Sequence, residues 1–214
     1  MNKKLLVAAM LLFGILGSLV AIGYHSSSSE PPTLATSFLY PKQRSLAPFE
    51  LTDQYGNRFD NARLQGKWSL IFIGYTSCPD VCPTTMAKLA SAYKMLDHKV
   101  DLQVVFISVD PDRDNQQKLL DYINFFNPEF VAATGPHQQV LPLTRQLGMV
   151  YSMVGEGENY QVDHSASMVL ISPAGHRYAT IKPKAGQIGD IPQISITNLV
   201  GDIDKLNHYY QAQG

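Results

Sequence analysis

Cysteine is scarce in this chain: Cys78 and Cys82 are the only two among 214 residues. No second Cys pair exists, which argues against a zinc site built from paired Cys-x-x-Cys motifs. A bridge between these two would close a loop too short to restrict the unfolded chain much, so a purely structural disulfide is poorly motivated. Lys/Arg runs are also missing and the net charge is −1, which argues against a nucleic-acid partner. Internal repeats are absent. The length suits one domain with a substantial core plus an anchoring segment, and is short for two ordinary domains.

Charge is missing altogether from residues 5–23, which follow Lys3 and Lys4. That run approaches the ~20 apolar residues needed to cross a bilayer as a helix, and the lysines belong on the cytoplasmic side. A cleaved signal peptide is the rival reading, with small residues at Ala21-Ile22-Gly23. Its apolar region would exceed the ~7–15 residues usual for such signals, so residues 1–23 are expected to be a retained membrane anchor. The expected location is the bacterial inner membrane, single-pass, with the soluble domain in the periplasm. Thiols there can oxidise.

Residues 24–46 read as a flexible linker, with a serine run at Ser26 to Ser29 and prolines at 31, 32 and 41. The domain is expected over 47–214. It opens with a hairpin around Asp53-Gln54-Tyr55-Gly56-Asn57. The run Trp68 to Tyr75 is apolar on both faces, as a central buried strand requires, and so is Leu102 to Val109. Pro83 is placed to start a helix in which Met86, Leu89, Tyr93 and Leu96 recur at helical spacing. Met86 and Met95 are read as packing residues, not metal ligands. The loop Asp110 to Asp114 is read as a helix start. Further helices are expected over 116–126, 136–147 and about 191–210, with short strands between. The result is an α/β sandwich with the dithiol at the carboxyl end of a central strand, where reactive groups collect in open α/β sheets.

Two thiols at Cys-x-x-x-Cys spacing can close a disulfide, hold a soft metal, or exchange with a partner's disulfide. Their position at a helix N-terminus favours the thiolate that the last two chemistries need. Oxidoreductases of the Cys-x-x-Cys type have one residue fewer between the thiols. Two thiolates plus one imidazole would suit copper(I), which tolerates low coordination. Of six histidines, His25 lies in the linker, His98, His137 and His208 near helix ends, and His176 in a turn. His164, in the polar break Val162-Asp163-His164-Ser165, is the candidate third ligand. A hydrogen-bonded loop histidine is the alternative reading.

Three motifs in order resemble the SCO/SenC family: Tyr75-Thr76-Ser77-Cys78-Pro79-Asp80-Val81-Cys82-Pro83, Ser108-Val109-Asp110-Pro111-Asp112-Arg113-Asp114, and Asp163-His164-Ser165. The resemblance implies a thioredoxin-like fold and one copper ion per chain, held by Cys78, Cys82 and His164. It implies a metallochaperone that delivers copper to the dinuclear copper centre of cytochrome c oxidase. The partners implied are the copper-bearing oxidase subunit and a second periplasmic copper chaperone or a thiol reductase. It also leaves a thiol–disulfide oxidoreductase as the alternative, with Cys78 and Cys82 as its redox-active pair. Asp110 and Asp163 fall on motif positions and take supporting roles. Two positions depart from the family pattern: Ser77 stands where many members have histidine, and Ser172-Pro173-Ala174-Gly175 replaces an Asp-Pro-x-Gly turn. A peroxidase of the same superfamily is disfavoured, because Tyr75 occupies the place of its threonine and no proline lies between Trp68 and Cys78.

Overall fold

Two largely apolar runs, 68–74 and 102–108, are buried at every residue and form adjacent parallel strands at the centre of the sheet. Such strands need cover on both faces. The structure is a computed structural model that describes residues 13, 30–96, 99–155, 157, 160–185, 187 and 192–213. The elements in order are β1 (Ser37–Ser45), β2 (Glu50–Asp53), β3 (Arg58–Asp60), β4 (Trp68–Gly74), α1 (Val81–Leu96), β5 (Leu102–Ser108) and α2 (Gln116–Phe126). Then come β6 (Val131–Thr134), α3 (His137–Leu147), β7 (Tyr151–Val154), β8 (Gln161–His164), β9 (Met168–Ile171), β10 (His176–Ile181) and α4 (Ile196–Gln211). One eight-stranded sheet has the order β1-β10-β9-β4-β5-β6-β2-β3, and β7 and β8 form a separate two-stranded ladder. The fold is thus mixed α/β, with the expected hairpin at β2 and β3.

Alternate residues of a strand face opposite sides of the sheet, and here each side meets different helices. Ile71, Ile73, Val105, Ile107 and Ile171 share a core with Val140, Leu143 and Leu147 of α3. On the other side Phe72 meets Phe106, Phe106 meets Tyr122 of α2, and Gly74 lies against Cys82 of α1. Each fully buried aliphatic or aromatic side chain contributes roughly 1.5–3 kcal/mol.

The chain divides into two compact units, Leu34–Asp204 and a second that joins Met1–Thr33 to Lys205–Gly214. The sheet and the cysteines belong to the first. In the second, Lys205 Nζ donates to the Thr33 carbonyl at 3.0 Å. The anchor expected over 1–23 lies outside the described residues apart from Phe13, as do His25 and His98. No helix among the described residues is long and apolar enough to cross a membrane.

Three expectations change. The linker expected over 24–46 does not extend to residue 46: Ser37–Ser45 form β1, an edge strand paired with β10. Its prolines misled. Pro41 sits where the register slips between Leu39 and Arg44, so no ladder hydrogen bond needs its missing N–H. Second, α1 begins at Val81, two residues before Pro83, which occupies the first turn. Third, α4 begins at Ile196 rather than near 191, because Ser195 caps it: its hydroxyl accepts from Asn198 N and its carbonyl from Leu199 N.

Asp202 of α4 fixes the entry to β1. Its buried carboxylate accepts from the amides of Ala35, Thr36 and Ser37 at 2.7–2.8 Å. Burial pushes its pKa up, but the Ala35 and Thr36 amides outweigh that and hold the group below its ordinary value. A depressed carboxylate stabilises the fold above its unfolded pKa, about 4, and that contribution is lost as pH falls through the lower folded value. Asp202→Ala should cost about 2 kcal/mol at neutral pH, measured by urea unfolding. The gap to wild type should shrink below about pH 4. A gap unchanged across that range would mean the carboxylate's charge plays no part.

Candidate metal centre

Where β4 ends, the chain turns and Cys78 N donates to the Tyr75 carbonyl at 3.2 Å. The turn delivers Cys78 to the rim, half-buried, while Cys82 in the first turn of α1 is fully buried. Both thiols are free. His164 arrives from the other ladder, as the last residue of β8 and not in a loop as its polar neighbours implied. Its Nε2 lies 3.3 Å from Cys82 Sγ. The donor atoms of Cys78, Cys82 and His164 all lie within 4.8 Å of one another. Among the described residues they are the one group of three or more Cys, His, Asp or Glu side chains so arranged.

The imidazole is oriented for metal binding. Nδ1 lies 3.1 Å from the Ser165 carbonyl, which can only accept, so Nδ1 donates there and Nε2 is the nitrogen that faces the sulfurs. The edges and faces of Phe72 and Tyr75 wall the ring at 5.9 and 6.3 Å. Gly74 is required for a different reason. A Cβ there would sit 2.8 Å from Cys82 Sγ and 2.9 Å from Phe106.

The two thiols are unequal. The Cys82 thiol bonded to it holds the Cys78 pKa far below the ordinary value; burial opposes this, while His164 and the amides of Asp80 and Cys82 assist. The helix-end amides therefore act as the sequence implied, but as the smaller contribution. Cys82 is pushed up, first because its proton is held by the Cys78 sulfur and then by burial. One proton thus bridges two sulfurs where a soft cation would replace it. The cleft over them, about 270 Å³, is lined in part by Tyr75, Cys78, Asp80, Asp163, His164 and Pro192.

Asp110 to Asp114 do not start a helix. The cap of α2 is Asn115, whose side chain accepts from Lys118 N at 2.9 Å. Both terminal aspartates of the motif are buried and tie down the donor-bearing segments. Asp114 accepts from Thr76 N at 2.9 Å, Thr76 Oγ1 at 2.5 Å and Ser108 Oγ at 2.6 Å, fixing the turn that carries Cys78. Asp110 takes the Arg113 Nε–H at 2.6 Å and the Tyr160 hydroxyl. Arg113 also donates to the Tyr160 carbonyl at 2.9 Å and lies 3.8 Å from that ring and 5.6 Å from the Tyr75 ring. Tyr160 directly precedes β8. Burial, then the bond to Asp110, pushes its phenol up to about 12, so it remains a donor.

Thr76, Arg113, Asp114 and Tyr160 were not singled out from sequence; for the first three, the only signal was the pair of motifs themselves. Asp163 is exposed on the cleft rim. Among the other histidines, His137 bonds the Tyr151 hydroxyl at 2.8 Å, His176 lies in β10 and His208 is exposed. Met86 is core, but Met95, also expected to pack, is 50% exposed.

The SCO1/SenC family profile matches residues 39–195. The chain belongs to the SCO1/SenC family. The SCO2-like protein RP587 of Rickettsia prowazekii (strain Madrid E) is 35% identical over 189 residues, 85% of this chain and 92% of the relative. The chain is also similar to the crystal structure of Arabidopsis thaliana ScoI with copper bound, at 32% identity and a TM-score of 0.67, covering 78% of this chain and 100% of that one. Bradyrhizobium japonicum ScoI with copper bound is similar at 27% identity and a TM-score of 0.63, over 78% and 99%. The α/β arrangement here is the thioredoxin-like one of these Sco structures. Of the two departures in the family pattern, Ser77 is exposed beside Cys78. The other, Ser172 to Gly175, closes the β9–β10 turn through Gly175 N and the Ser172 carbonyl at 2.8 Å.

Two measurements check this geometry. Iodoacetamide should label Cys78 at a rate that changes little between about pH 6 and 8, where a thiol of pKa near 8.5 gains roughly tenfold per unit. Peptide mass spectrometry should find Cys82 unlabelled in the folded chain. Labelling of both at equal rates would contradict the asymmetry. Gly74→Ala should cost about 1–3 kcal/mol by overpacking and displace the Cys82 sulfur. Its reduced form should bind soft metal more weakly, read by competition with a chromophoric chelator.

Proposed function

We propose that the chain is a membrane-anchored copper chaperone. It takes one copper ion as cargo through Cys78, Cys82 and His164 and passes it to the copper-bearing subunit of cytochrome c oxidase. The observation that carries this reading is the convergence of two sulfurs and one imidazole nitrogen within 4.8 Å at an open cleft. Two soft thiolates and one imidazole favour copper(I) over zinc, which would normally fill four positions. Two similar solved structures, from A. thaliana and B. japonicum, are described as ScoI with copper bound. Cys82 is buried and makes the inner contact; half-buried Cys78 and His164 face the cleft, where a partner's donors can replace them one at a time. The anchor over 1–23 would keep the domain on the periplasmic face of the inner membrane, near a membrane-bound oxidase.

The thiol asymmetry favours a second use of the same pair. The accessible Cys78 thiolate would attack a partner's disulfide, forming a mixed disulfide and expelling one partner thiolate. Cys82, giving its proton to that thiolate, would then attack Cys78 Sγ and release the partner's second sulfur. The partner ends as a dithiol and this chain as a disulfide. Cysteines of the oxidase copper site, oxidised, would be such a partner. A second periplasmic copper chaperone would load this chain, and a thiol reductase would restore its dithiol.

The full chain, reduced, should bind one copper(I) per molecule, measured by chelator competition and metal analysis. Cys78→Ser and Cys82→Ser should each abolish tight binding. His164→Ala should weaken it at least about tenfold, equivalent to ~1.4 kcal/mol. It should leave thiol–disulfide exchange with a small disulfide intact. Unchanged affinity in His164→Ala would remove the histidine from the site and leave the oxidoreductase reading.

A further inference from the structure

The edge strand β1 breaks its pairing with β10 in an unusual way. Leu39 pairs with Ala179 and Arg44 with Arg177, so residues 40–43 bow away opposite Tyr178 alone. The bow forfeits ladder hydrogen bonds and opens a cavity of about 320 Å³ lined by Tyr40, Pro41, Lys42, Arg44 and Arg177. Among the described residues the cavity shares no lining residue with the metal cleft.

Of the described residues that line it, three are cationic and none is acidic. Lys42, Arg44 and Arg177 make no ion pair among the described residues. Like charges gathered around one concavity repel, and an anion between them relieves that repulsion. Arg177 is held rather than free. Its Nη2 donates to the Tyr40 hydroxyl at 2.7 Å, and its guanidinium lies 4.7 Å from the Tyr40 ring centre. Tyr40 is itself hydrogen-bonded to Thr180, which fixes the ring beneath the guanidinium. A Cβ on Gly148 would come 3.1 Å from Nη2, so the glycine leaves the guanidinium its room.

Arg177 stands apart from the other two cations: it is half-buried, and its Nε is fully enclosed. Edge strands carry lysine and arginine to discourage pairing with other chains, which accounts for exposed Lys42 and Arg44. It does not account for a third cation, the half-buried Arg177, pinned on Tyr40 at the same concavity. A fixed guanidinium flanked by two exposed cations meets the need of a phosphate group for several charged donors.

We propose that this cavity binds a phosphate group, as free phosphate or as the headgroup of an anionic phospholipid. The pinned Arg177 guanidinium supplies the fixed cation, and Lys42 and Arg44 close over the remaining oxygens.

The test uses the full chain in a neutral detergent, ¹⁵N-labelled, and follows the Arg177 Nε–H signal and the amides of residues 39, 40 and 42–44. Inorganic phosphate, short-chain phosphatidylglycerol below its micelle concentration, and sodium chloride at matched ionic strength are titrated separately. Saturable shifts with phosphate or phosphatidylglycerol, but not with chloride, are expected. Tighter saturation by the lipid identifies a headgroup site; tighter saturation by inorganic phosphate identifies a free-phosphate site. The exposed double variant Lys42→Ala/Arg44→Ala should weaken the response about tenfold. Its copper(I) binding should be unchanged, which keeps this site separate from the metal reading. Equal shifts with chloride, no saturation by either phosphate source, or full retention in the double variant would overturn the proposal.

Discussion

Two buried aspartates on a single turn hold the metal centre together. The donors come from segments distant in sequence: the turn after β4 and the end of β8, which lies in a different ladder from β4. The turn after β5 lies between them. Asp114 reaches back to Thr76 and fixes the cysteine turn, while Asp110, through Arg113 and Tyr160, fixes the approach to β8. Burying a carboxylate is costly unless it is fully bonded. Asp114 meets that condition with one amide and two hydroxyls, and Asp110 with a guanidinium and a phenol. Removing either aspartate would therefore leave both an unpaired donor set and a loosened metal ligand.

The position of the pair on the fold gives its members different tasks. Cys82 is packed against the backbone of Gly74 at the end of a strand buried on both faces. Its sulfur is as rigid as the core. Cys78 sits on a turn at the rim, and its sulfur takes the negative charge of the shared site. A buried protonated thiol beside an accessible thiolate is the arrangement that thiol exchange requires. It is equally a site in which a soft cation displaces a single proton. The two proposed uses, copper carriage and disulfide exchange, thus draw on one electrostatic arrangement, and the oxidation state of the pair would determine which is available.

Much of this was legible in the chain. Strands β4 and β5 were readable because a run apolar on both faces has few alternatives, and the dithiol's place at the strand end followed from their order. His164 could be nominated from its polar surroundings, but only the motif resemblance separated it from a loop histidine. Two things were hidden. Local rules took Asp110 to Asp114 as a helix start, since aspartates favour helix caps, while the partners that claim them, Thr76 and Tyr160, lie dozens of residues away. Local rules likewise took Pro41 as a linker residue, though an edge strand with a bulge tolerates it. In each case a long-range contact overrode a short-range preference.

That same division governs how firmly each donor is held. Cys78 and Cys82 belong to the junction of β4 and α1, within the main sheet's packing. His164 belongs to a two-stranded ladder joined to the sheet by no strand pairing among the described residues. Its ties are the burial of Val162, the bond from Ser165 N to the Val150 carbonyl, and the Arg113 clamp at Tyr160. An isolated two-stranded ladder has little stability of its own. The imidazole is therefore the donor whose position depends on side-chain contacts, and the sulfurs are those whose position depends on the fold. A perturbation of the clamp moves one ligand of three and leaves a dithiol intact. For the proposed cargo, which must leave as well as arrive, that is the ligand whose displacement opens the site at least cost to the fold.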